Sequence, residues 1–334
     1  MKNIFLCNTP SIIGQVYPND VIEALKAEAF LDTTVLTEKA LNNDIYADTE
    51  AIFASWDIPR LSVEQIAHHF PNLKYVFYAA GSVQYFAKPF FERNVRIFSA
   101  WSANAVPVAE YTLAQIILAN KGFFHTINKV NSKAGYFESR EETKALPGNY
   151  KTTIGILGVG QIGRRVIEKL HQTTTSIIKV YDPYLSDEAA RELNVQKASL
   201  EEIFSTCQTI SNHIANLPTT QKLLNYNHFS LMKDNAVFIN TGRGAQVDVD
   251  GLIEALKEKP SRFAVLDVTD PEEPPNDNHE FYQMGNVLIT PHIAGSSGNE
   301  VHRMAELMLE AFRAVKSGNS THTEVTLDML SKMA

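Results

Sequence analysis

The sequence predicts an α/β protein with parallel sheets, divided into about two domains. Its 334 residues correspond to roughly two domains of about 150 residues each. Short apolar segments alternate with polar helical ones both before and after a polar stretch at 133–150. Because strands that alternate with helices are joined in parallel, each series predicts a parallel sheet covered by helices on both faces. With 44% hydrophobic residues, the chain has enough apolar side chains to form these cores.

The first series of elements lies before residue 102. Its predicted strands are Lys2–Cys7, Ala51–Ala54 and Lys74–Tyr78, and its predicted helices are Pro18–Phe30 and Ser62–His69. A long helix is predicted next at Ala105–Asn120, with Asn104 as a suitable N-cap. The polar residues at Lys133–Tyr150 predict a loop.

The second series begins after that loop. Its predicted strands are Thr153–Leu157, Ser176–Tyr181, Ala236–Ile239, Phe263–Leu266 and Val287–Ile289, and its predicted helices are Gln161–His171, Val249–Lys257 and Gly298–Lys316. The same alternation of strands with helices predicts a second parallel sheet.

Composition excludes several classes of function. The 30 basic and 38 acidic residues give a formal net charge of −8, which is unfavourable for a nucleic-acid-binding protein. No apolar stretch approaches the roughly 18 residues of a membrane span, and the apolar run near the N-terminus is too short for a signal peptide. Cys7 and Cys207 are too few and too distant for a disulfide framework, so a cytoplasmic protein is expected. Apart from His213 and His292, the histidines lack partners at ligand spacing, so no metal site is expected.

A glycine-rich turn, G-V-G-Q-I-G at 158–163, follows the first strand of the second series. Gly158 can form the tight turn, Gly160 can let the backbone approach a pyrophosphate, and Gly163 can let helix and strand pack closely. The helix that starts here offers unpaired N–H groups, including those of Gln161 and Ile162, to the phosphates. The context of strand, turn and helix predicts a dinucleotide site.

An acidic residue ends the next predicted strand. Asp182 lies 19 residues after Gly163 and is placed to bond the ribose hydroxyls. Its charge would repel a 2′-phosphate, and no Arg or Lys follows directly. The sequence therefore favours NAD over NADP.

Five segments, taken in order, indicate a family. They are V-A-E at 108–110, the glycine turn, N-T-G-R-G at 240–244, L-D-V at 266–268 and P-H-I-A-G at 291–295. Together they resemble the D-isomer-specific 2-hydroxyacid dehydrogenases, the NAD-dependent family that includes phosphoglycerate and glycerate dehydrogenases. The resemblance covers nearly the whole chain and is strongest from residue 104 to residue 295.

The resemblance implies a catalytic trio of Arg243, Glu272 and His292. Arg243 offers a planar set of donors for the carboxylate and carbonyl oxygen of a 2-keto acid. His292 can give a proton to the carbonyl oxygen, and a neighbouring carboxylate would favour its charged form. Counting from the strand end selects Glu272, which we prefer because strand geometry fixes register. Reading the family's Glu-Pro pair selects Glu273, which stays open as the alternative.

Further roles are carried over from the resemblance. The implied cofactor-binding residues are Gly158, Gly160, Gln161, Ile162, Gly163, Asp182, His213, Thr220, Thr241, Asp267 and Gly295. Asp267 would bond the nicotinamide carboxamide, whereas the departure at Ala215, where the family has proline, leaves the contacts of His213 open. The implied substrate-binding residues are Gly81, Ser82, Asn104 and Arg243. A pocket at Ser55, Trp56 and 79–83 favours an uncharged substituent on the substrate.

The resemblance also implies an architecture and an activity. Residues 1–101 plus 296–334 would form a flavodoxin-like substrate domain, residues 102–295 a Rossmann domain, and the active site a cleft between them. The implied activity is NAD-dependent hydride transfer between a small 2-keto acid and a D-2-hydroxy acid, in a homodimer formed around the helix at 105–120. The alternative is an NAD(H)-sensing binding protein of the corepressor kind, with little or no turnover. A substrate panel with NADH would separate the two.

Overall fold

The computed structural model describes residues 2–42 and 44–330, so the predicted domain ends at Met1 and 331–334 lie outside the described residues. The chain divides into two compact units, residues 1–104 with 296–334, and residues 105–295. The predicted boundary at 101 differs by three residues from this division. The helix expected to start at Ala105 in fact starts at Trp101, so Asn104 is inside it and is not its N-cap.

The strands and helices alternate along most of the chain. The strands are β1 (Lys2–Leu6), β2 (Phe30–Leu36), β3 (Thr49–Ala54), β4 (Tyr75–Tyr78), β5 (Arg96–Ser99), β6 (Thr153–Leu157), β7 (Ile177–Tyr181), β8 (Gln196–Lys197), β9 (Thr209–Asn212), β10 (Val237–Asn240), β11 (Phe263–Leu266), β12 (Val287–Ile289) and β13 (Glu324–Val325). The α-helices are α1 (Pro10–Val16), α2 (Asn19–Glu28), α3 (Glu38–Leu41), α4 (Val63–His69), α5 (Ala87–Glu92), α6 (Trp101–Asn120), α7 (Phe123–Thr126), α8 (Lys133–Glu142), α9 (Gln161–Thr173), α10 (Asp187–Glu192), α11 (Leu200–Thr206), α12 (Tyr226–Phe229), α13 (Val249–Glu258), α14 (His302–Lys316) and α15 (Leu327–Leu330).

The first unit is built on a six-stranded sheet in the order β13-β5-β4-β3-β1-β2. The pairs from β2 to β5 are parallel, and β13 joins β5 antiparallel at the edge. The order 2-1-3-4-5 is that of flavodoxin-like sheets. Along β1 the side chains of Ile4 and Leu6 enter one apolar cluster, and those of Phe5 and Cys7 enter another. Because successive side chains of a strand point to opposite faces, the sheet is covered on both sides.

The second unit is built on a parallel seven-stranded sheet in the order β12-β11-β10-β9-β6-β7-β8. The chain builds the sheet outward from β6 in one direction, then returns to β9 and builds it in the other. This is the Rossmann order, and the crevice at the carboxyl ends of β6 and β9 is where such sheets bind ligands. The two sheets, parallel except for β13 at the edge of the first, confirm the predicted fold class.

Two further local predictions were wrong. The predicted helix Pro18–Phe30 ends at Glu28, and Phe30 begins β2, an edge strand with too few buried residues to stand out in the sequence. The predicted loop at 133–150 contains α8, whose start is capped by the Ser132 hydroxyl accepting the Gly135 N–H. Among the described residues, no helix has both the length and the apolarity to cross a membrane.

Candidate active site

The glycine turn lies where β6 meets α9. Gly158 has φ +85°, and a Cβ there would lie 2.6 Å from the His213 carbonyl oxygen. A Cβ on Gly163 would lie 2.1 Å from the Gly158 carbonyl oxygen, so the close approach of helix to turn excludes a side chain. By contrast, a Cβ on Gly160 would have no heavy atom within 4 Å. Two of the glycines are required by packing, and the third faces open space.

The N-terminus of α9 is left without a side-chain cap. Gly160 is the N-cap residue, and the first N–H groups of the helix, from Gln161 and Ile162 onward, receive no capping side chain. Unpaired N–H groups at a helix N-terminus bind phosphate well, since the helix dipole favours negative charge there. The open space beside Gly160 is therefore lined by donors suited to a pyrophosphate.

Asp182 lies directly after β7 and is bonded to the same turn. Its Oδ2 accepts the Val159 N–H at 2.7 Å, and its Oδ1 accepts the Tyr184 N–H at 2.8 Å. Each carboxylate oxygen can accept a second hydrogen bond. The sequence spacing thus brings the acid to the glycine turn, with acceptor capacity left for ribose hydroxyls.

His213 lies at the carboxyl end of β9, beside Gly158. Its Nε2 is 2.9 Å from the Ser211 hydroxyl, and no group in the described part of the chain hydrogen-bonds its buried Nδ1. Burial lowers the pKa of the His213 ring to about 3. The ring is therefore neutral at physiological pH.

We predict that the neutral His213 makes the folded state sensitive to acid. The unfolded chain binds this proton below about pH 6.5, whereas the folded chain does not until about pH 3, so stability falls as pH falls between these values. The expected loss of unfolding free energy is on the order of a few kcal/mol. Urea unfolding over a pH series should show that the unfolding free energy depends less steeply on pH in His213→Gln than in the unaltered protein. An equally steep dependence in both proteins would contradict the assignment.

Arg243 follows β10 in a turn fixed by buried amides. Its backbone N–H donates to Gln246 Oε1 at 3.1 Å, and its carbonyl accepts from Asn240 Nδ2 at 3.0 Å. Asn212 Nδ2 donates to Asn240 Oδ1 at 3.0 Å and to Gln246 Oε1 at 3.2 Å. A Cβ on Gly244 would lie 2.2 Å from the Thr269 carbonyl, so the turn also packs tightly against the segment that follows β11.

The Arg243 guanidinium is largely buried. Its Nη1 donates to the Gly242 carbonyl at 2.8 Å, which leaves donors free in the fork. Burial lowers the pKa of Arg243, and the negative charge of Glu273 opposes that shift. An arginine stays charged even after such a shift, so the side chain is a desolvated cation with Glu273 as its electrostatic partner.

The carboxylate that pairs with His292 is that of Glu273, not that of Glu272. His292 Nδ1 lies 2.5 Å from Glu273 Oε1. The preference for Glu272 was wrong because the count assumed that strand geometry continued past Leu266. The chain instead turns, and the Thr269 hydroxyl donates to the Glu272 carbonyl at 2.7 Å.

His292 has an unusual backbone conformation. Its φ is +53°, in the left-handed region, and its N–H donates to the Thr290 carbonyl two residues earlier, at 2.9 Å. A non-glycine residue in this region marks local strain, which clusters at functional sites. The side chain remains about half exposed, so the Nε2 side of the ring is accessible.

Asp267 holds the loop that carries His292. Its Oδ1 accepts from the Thr290 hydroxyl at 2.6 Å and the Ile293 N–H at 2.9 Å, and its Oδ2 accepts the Ala294 N–H at 2.9 Å. The predicted role for Asp267 was a bond to the cofactor. Its buried carboxylate is mainly engaged with its own chain, and only Oδ2 has a lone pair left for a further donor.

The other predicted cofactor residues of this unit occupy varied places. The Thr220 hydroxyl donates to the Ala215 and Leu217 carbonyls inside a tight turn, and Thr241 Oγ1 lies 3.1 Å from Thr112 Oγ1. Gly295 is the last residue of the unit. Within the described residues, no group of three or more His, Cys, Asp or Glu is arranged to hold a metal ion.

In the first unit, the predicted substrate residues lie together near the end of β4. A Cβ on Gly81 would be in ordinary contact, at 3.7 Å, with Asn104 Nδ2. Asn104 Oδ1 accepts the Ser296 N–H at 3.1 Å, which joins the two segments of this unit. Ser82, next to Gly81, is partly exposed.

A cavity of about 550 Å³ lies at the carboxyl ends of β1, β3 and β4 of this unit. It is lined by Asn8, Glu38, Trp56, Asp57, Ile58, Arg60, Tyr78 and Tyr85. Of the residues predicted for a substituent pocket, only Trp56 lines it, because the Ser55 hydroxyl is buried and donates to the Ala79 carbonyl at 2.8 Å. The cavity also contains the charged side chains of Glu38, Asp57 and Arg60. The uncharged substituent expected on the substrate stays a prediction.

Comparison with known proteins decides the family. Residues 113–294 match the model of the D-isomer specific 2-hydroxyacid dehydrogenase, NAD binding domain. The 2-hydroxyacid dehydrogenase homologue YoaD of Bacillus subtilis is 32% identical over 291 residues, which are 85% of this chain and 76% of YoaD. The chain belongs to the D-isomer specific 2-hydroxyacid dehydrogenase family. It is accordingly an NAD-dependent enzyme of that family, as the five sequence segments predicted.

The phosphoglycerate dehydrogenases that this chain matches are longer proteins. The D-3-phosphoglycerate dehydrogenase of Methanocaldococcus jannaschii is 32% identical over 217 residues, 64% of this chain and 40% of that protein. The chain thus spans less than half the length of the phosphoglycerate dehydrogenases that it matches. Among solved structures, apo D-mandelate dehydrogenase of Rhodotorula graminis has a TM-score of 0.82 at 21% identity, with 97% of each chain covered. That likeness shows the shared fold.

Sequence reasoning missed two sets of residues: the buried side-chain amides around the Arg243 turn, and two hydroxyl groups on α6. Asn212, Asn240 and Gln246 are fully buried polar residues near strand ends, and that pattern was a usable signal. Tyr111 and Thr112 had no such signal, because their partners are more than a hundred residues away in sequence.

Proposed function

We propose that this enzyme interconverts a 2-keto acid and a D-2-hydroxy acid, with His292 as general acid and base and Glu273 as its partner. The observation that carries the proposal is the contact between His292 Nδ1 and Glu273 Oε1. The Glu273 carboxylate also lies close enough to Arg243 for its negative charge to act on the guanidinium. Glu273 holds Nδ1, so Nε2 is the nitrogen that can exchange a proton with the substrate oxygen. Family membership favours this catalytic role over a binding protein that only senses NAD(H).

The cofactor would be held by the glycine turn. Gly158, Gly160 and Gly163 with the N–H groups of Gln161 and Ile162 fit the pyrophosphate, and Asp182 fits the ribose. His213, Thr220, Thr241, Asp267 and Gly295 complete the proposed set. When bound, NAD would accept the hydride in oxidation of the hydroxy acid, and its reduced form NADH would supply the hydride in reduction of the keto acid.

The chain's own residues would do the rest. Arg243 would bind the substrate carboxylate through the N–H donors of its guanidinium. Such charged hydrogen bonds are stronger in a buried site than in water. During reduction His292 donates its Nε2 proton to the carbonyl oxygen, and Glu273 stabilises the charged ring before that transfer. In oxidation His292 takes the proton back. Gly81, Ser82 and Asn104 are the proposed contribution of the first unit to substrate binding.

A panel of 2-keto acids, followed by NADH absorbance, tests this function. We expect NADH-dependent turnover with at least one small keto acid, and much weaker turnover with NADPH because Asp182 repels a 2′-phosphate. The D stereochemistry is checked by running the reverse reaction with separate D and L hydroxy acids. Saturable NADH binding without turnover across the panel would instead support the sensing alternative.

We propose that the enzyme is a homodimer that uses an apolar patch of the second unit. The patch consists of the exposed side chains of Phe123, Ile127, Val130, Tyr136 and Phe137. Its two segments are packed together, since a Cβ on Gly135 would lie 2.2 Å from the Lys129 carbonyl. A group of exposed apolar side chains of this kind marks an interaction site.

Phe137→Glu is expected to shift the protein from dimer to monomer, because a carboxylate in an apolar interface has no partner. Light scattering coupled to size exclusion measures the change. Tyr184→Glu, which alters an isolated exposed aromatic outside the patch, should leave the mass unchanged. A monomeric unaltered protein, or a dimer that persists in Phe137→Glu, would contradict the proposal.

The cytoplasmic location stays a prediction from the sequence.

A further inference from the structure

We propose that Tyr111 and Thr112, adjacent residues of α6, are positioning residues that hold the His292 loop and the Arg243 turn. The inference rests on the proposed function, because that function gives His292 and Arg243 their roles in the reaction. Each hydroxyl contacts a residue two positions before one of the two reacting side chains. All residues involved lie in the unit 105–295.

Thr112 contacts the turn that carries Arg243. Its Oγ1 lies 3.1 Å from Thr241 Oγ1, and both side chains are buried. Thr241 is the first residue after β10, where hydrogen bonding between strands has ended and the backbone direction is no longer set by the sheet. A side-chain bond to a helix supplies the constraint that the strand no longer gives.

Tyr111 contacts the loop that carries His292. Its hydroxyl lies 2.9 Å from Thr290 Oγ1, which lies 2.6 Å from Asp267 Oδ1. A carboxylate only accepts, so Thr290 donates to Asp267, and Tyr111 therefore donates to Thr290. Asp267 also accepts the N–H groups of Ile293 and Ala294. The residues on both sides of His292 are thus joined through one carboxylate to the helix.

The helix itself is firmly packed, which a positioning element requires. Ala109, Ile116 and Ala119 are buried in the apolar cluster that covers one face of the seven-stranded sheet. With Thr112 they follow a spacing of three and four residues, so they share one side of α6. At its C-terminal end, Asn120 Oδ1 accepts from the Thr209 hydroxyl at 2.7 Å.

The consequence concerns the alignment of two separate groups. A small displacement of a reacting side chain can reduce turnover by large factors, even when its own atoms are unchanged. The strained backbone at His292 makes its loop dependent on outside contacts to keep that conformation. One helix that contacts both segments fixes the imidazole and the guanidinium relative to each other.

The test compares Tyr111→Phe and Thr112→Val with matched losses of a hydroxyl. Tyr226→Phe removes a hydroxyl that donates to Glu258 at 2.8 Å, and Thr209→Val removes a third hydroxyl contact of α6, the bond to Asn120. We expect Tyr111→Phe to lower kcat about tenfold with little change in the KM for the keto acid. We expect Thr112→Val to raise that KM about tenfold with a smaller change in kcat, and Thr112→Ser to restore it. The two control variants should change neither constant.

Hydrogen exchange measured by mass spectrometry supplies a readout independent of turnover. Tyr111→Phe should speed exchange in residues 290–295, and Thr112→Val in residues 241–246, whereas Thr209→Val speeds exchange in neither. If no keto acid is turned over, the proposed function fails, and the exchange data still decide the positioning. Unchanged exchange in both segments, or the same loosening in Thr209→Val, overturns the inference.

Discussion

Replacing His292 by asparagine is expected to lower kcat about 10³-fold, while the fold and the affinity for NADH are retained. Loss of a positioned general acid commonly costs two to four orders of magnitude, since no other group at the site can supply the proton. Asparagine is the appropriate replacement because His292 has φ +53°, a conformation that asparagine adopts more readily than other residues. Stopped-flow or steady-state measurement of NADH consumption reads the effect.

His292→Ala serves as the comparison that separates the loss of the imidazole from the effect of backbone strain. Alanine also removes the imidazole, but it adds backbone strain of about 1–2 kcal/mol at a left-handed position. We therefore expect the alanine variant to have a lower melting temperature than the asparagine variant and an equally low kcat. A rate for His292→Asn within tenfold of the unaltered enzyme would refute the proposed proton transfer.

Two neighbouring glutamates provide an internal control for the same prediction. Glu273 contacts His292 Nδ1, whereas Glu272 turns its carbonyl to the Thr269 hydroxyl. In Glu273→Gln the neutral amide no longer stabilises the charged ring, so kcat for keto-acid reduction should fall. Glu272→Gln should keep the original kcat. A loss of kcat in the Glu272 variant alone would restore the sequence-based choice.

Much of the fold could be predicted because it depends on local patterns. Alternating apolar strands and amphipathic helices recovered three of the six strands of the first sheet and five of the seven strands of the second, including β6 and β7 on either side of α9. The failures have local causes as well. β2 is an edge strand with few buried side chains, and α8 is a polar helix whose start depends on a cap at Ser132.

The site was predictable residue by residue only where a motif carries its own geometry. Gly158, Gly163 and Asp182 come together because strand, turn and helix fix their spacing. The choice between Glu272 and Glu273 depended on the path of an irregular loop, for which no period exists. The contact of Tyr111 with Thr290 joins residues 179 positions apart, so it follows from the packing of a helix against a sheet and not from any short pattern.

Arg243→Ala is expected to lower kcat/KM about 10³-fold, with the larger share in the KM for the keto acid. Removing one partner of a buried, hydrogen-bonded charge pair costs about 2–5 kcal/mol, and the substrate carboxylate would be the partner left behind. Arg243→Lys should recover only part of the loss, because a lysine keeps the charge but lacks the planar fork. The NADH affinity, measured by fluorescence titration, should stay within a few fold.

Arg262, a second arginine of the same unit, provides the control that shows whether a change in the KM for the keto acid is specific to Arg243. Arg262 donates to the carbonyls of Ser230, Met232 and Ala255, and it precedes β11, at the amino end of the strands. Arg262→Lys should lower the melting temperature, since buried carbonyls lose donors, while leaving the KM of the folded enzyme unchanged. Equal changes in KM from Arg243→Lys and Arg262→Lys would mean that Arg243 acts through stability alone. A KM change confined to Arg243 is what carboxylate binding requires, because only Arg243 lies at the carboxyl end of the sheet beside Glu273.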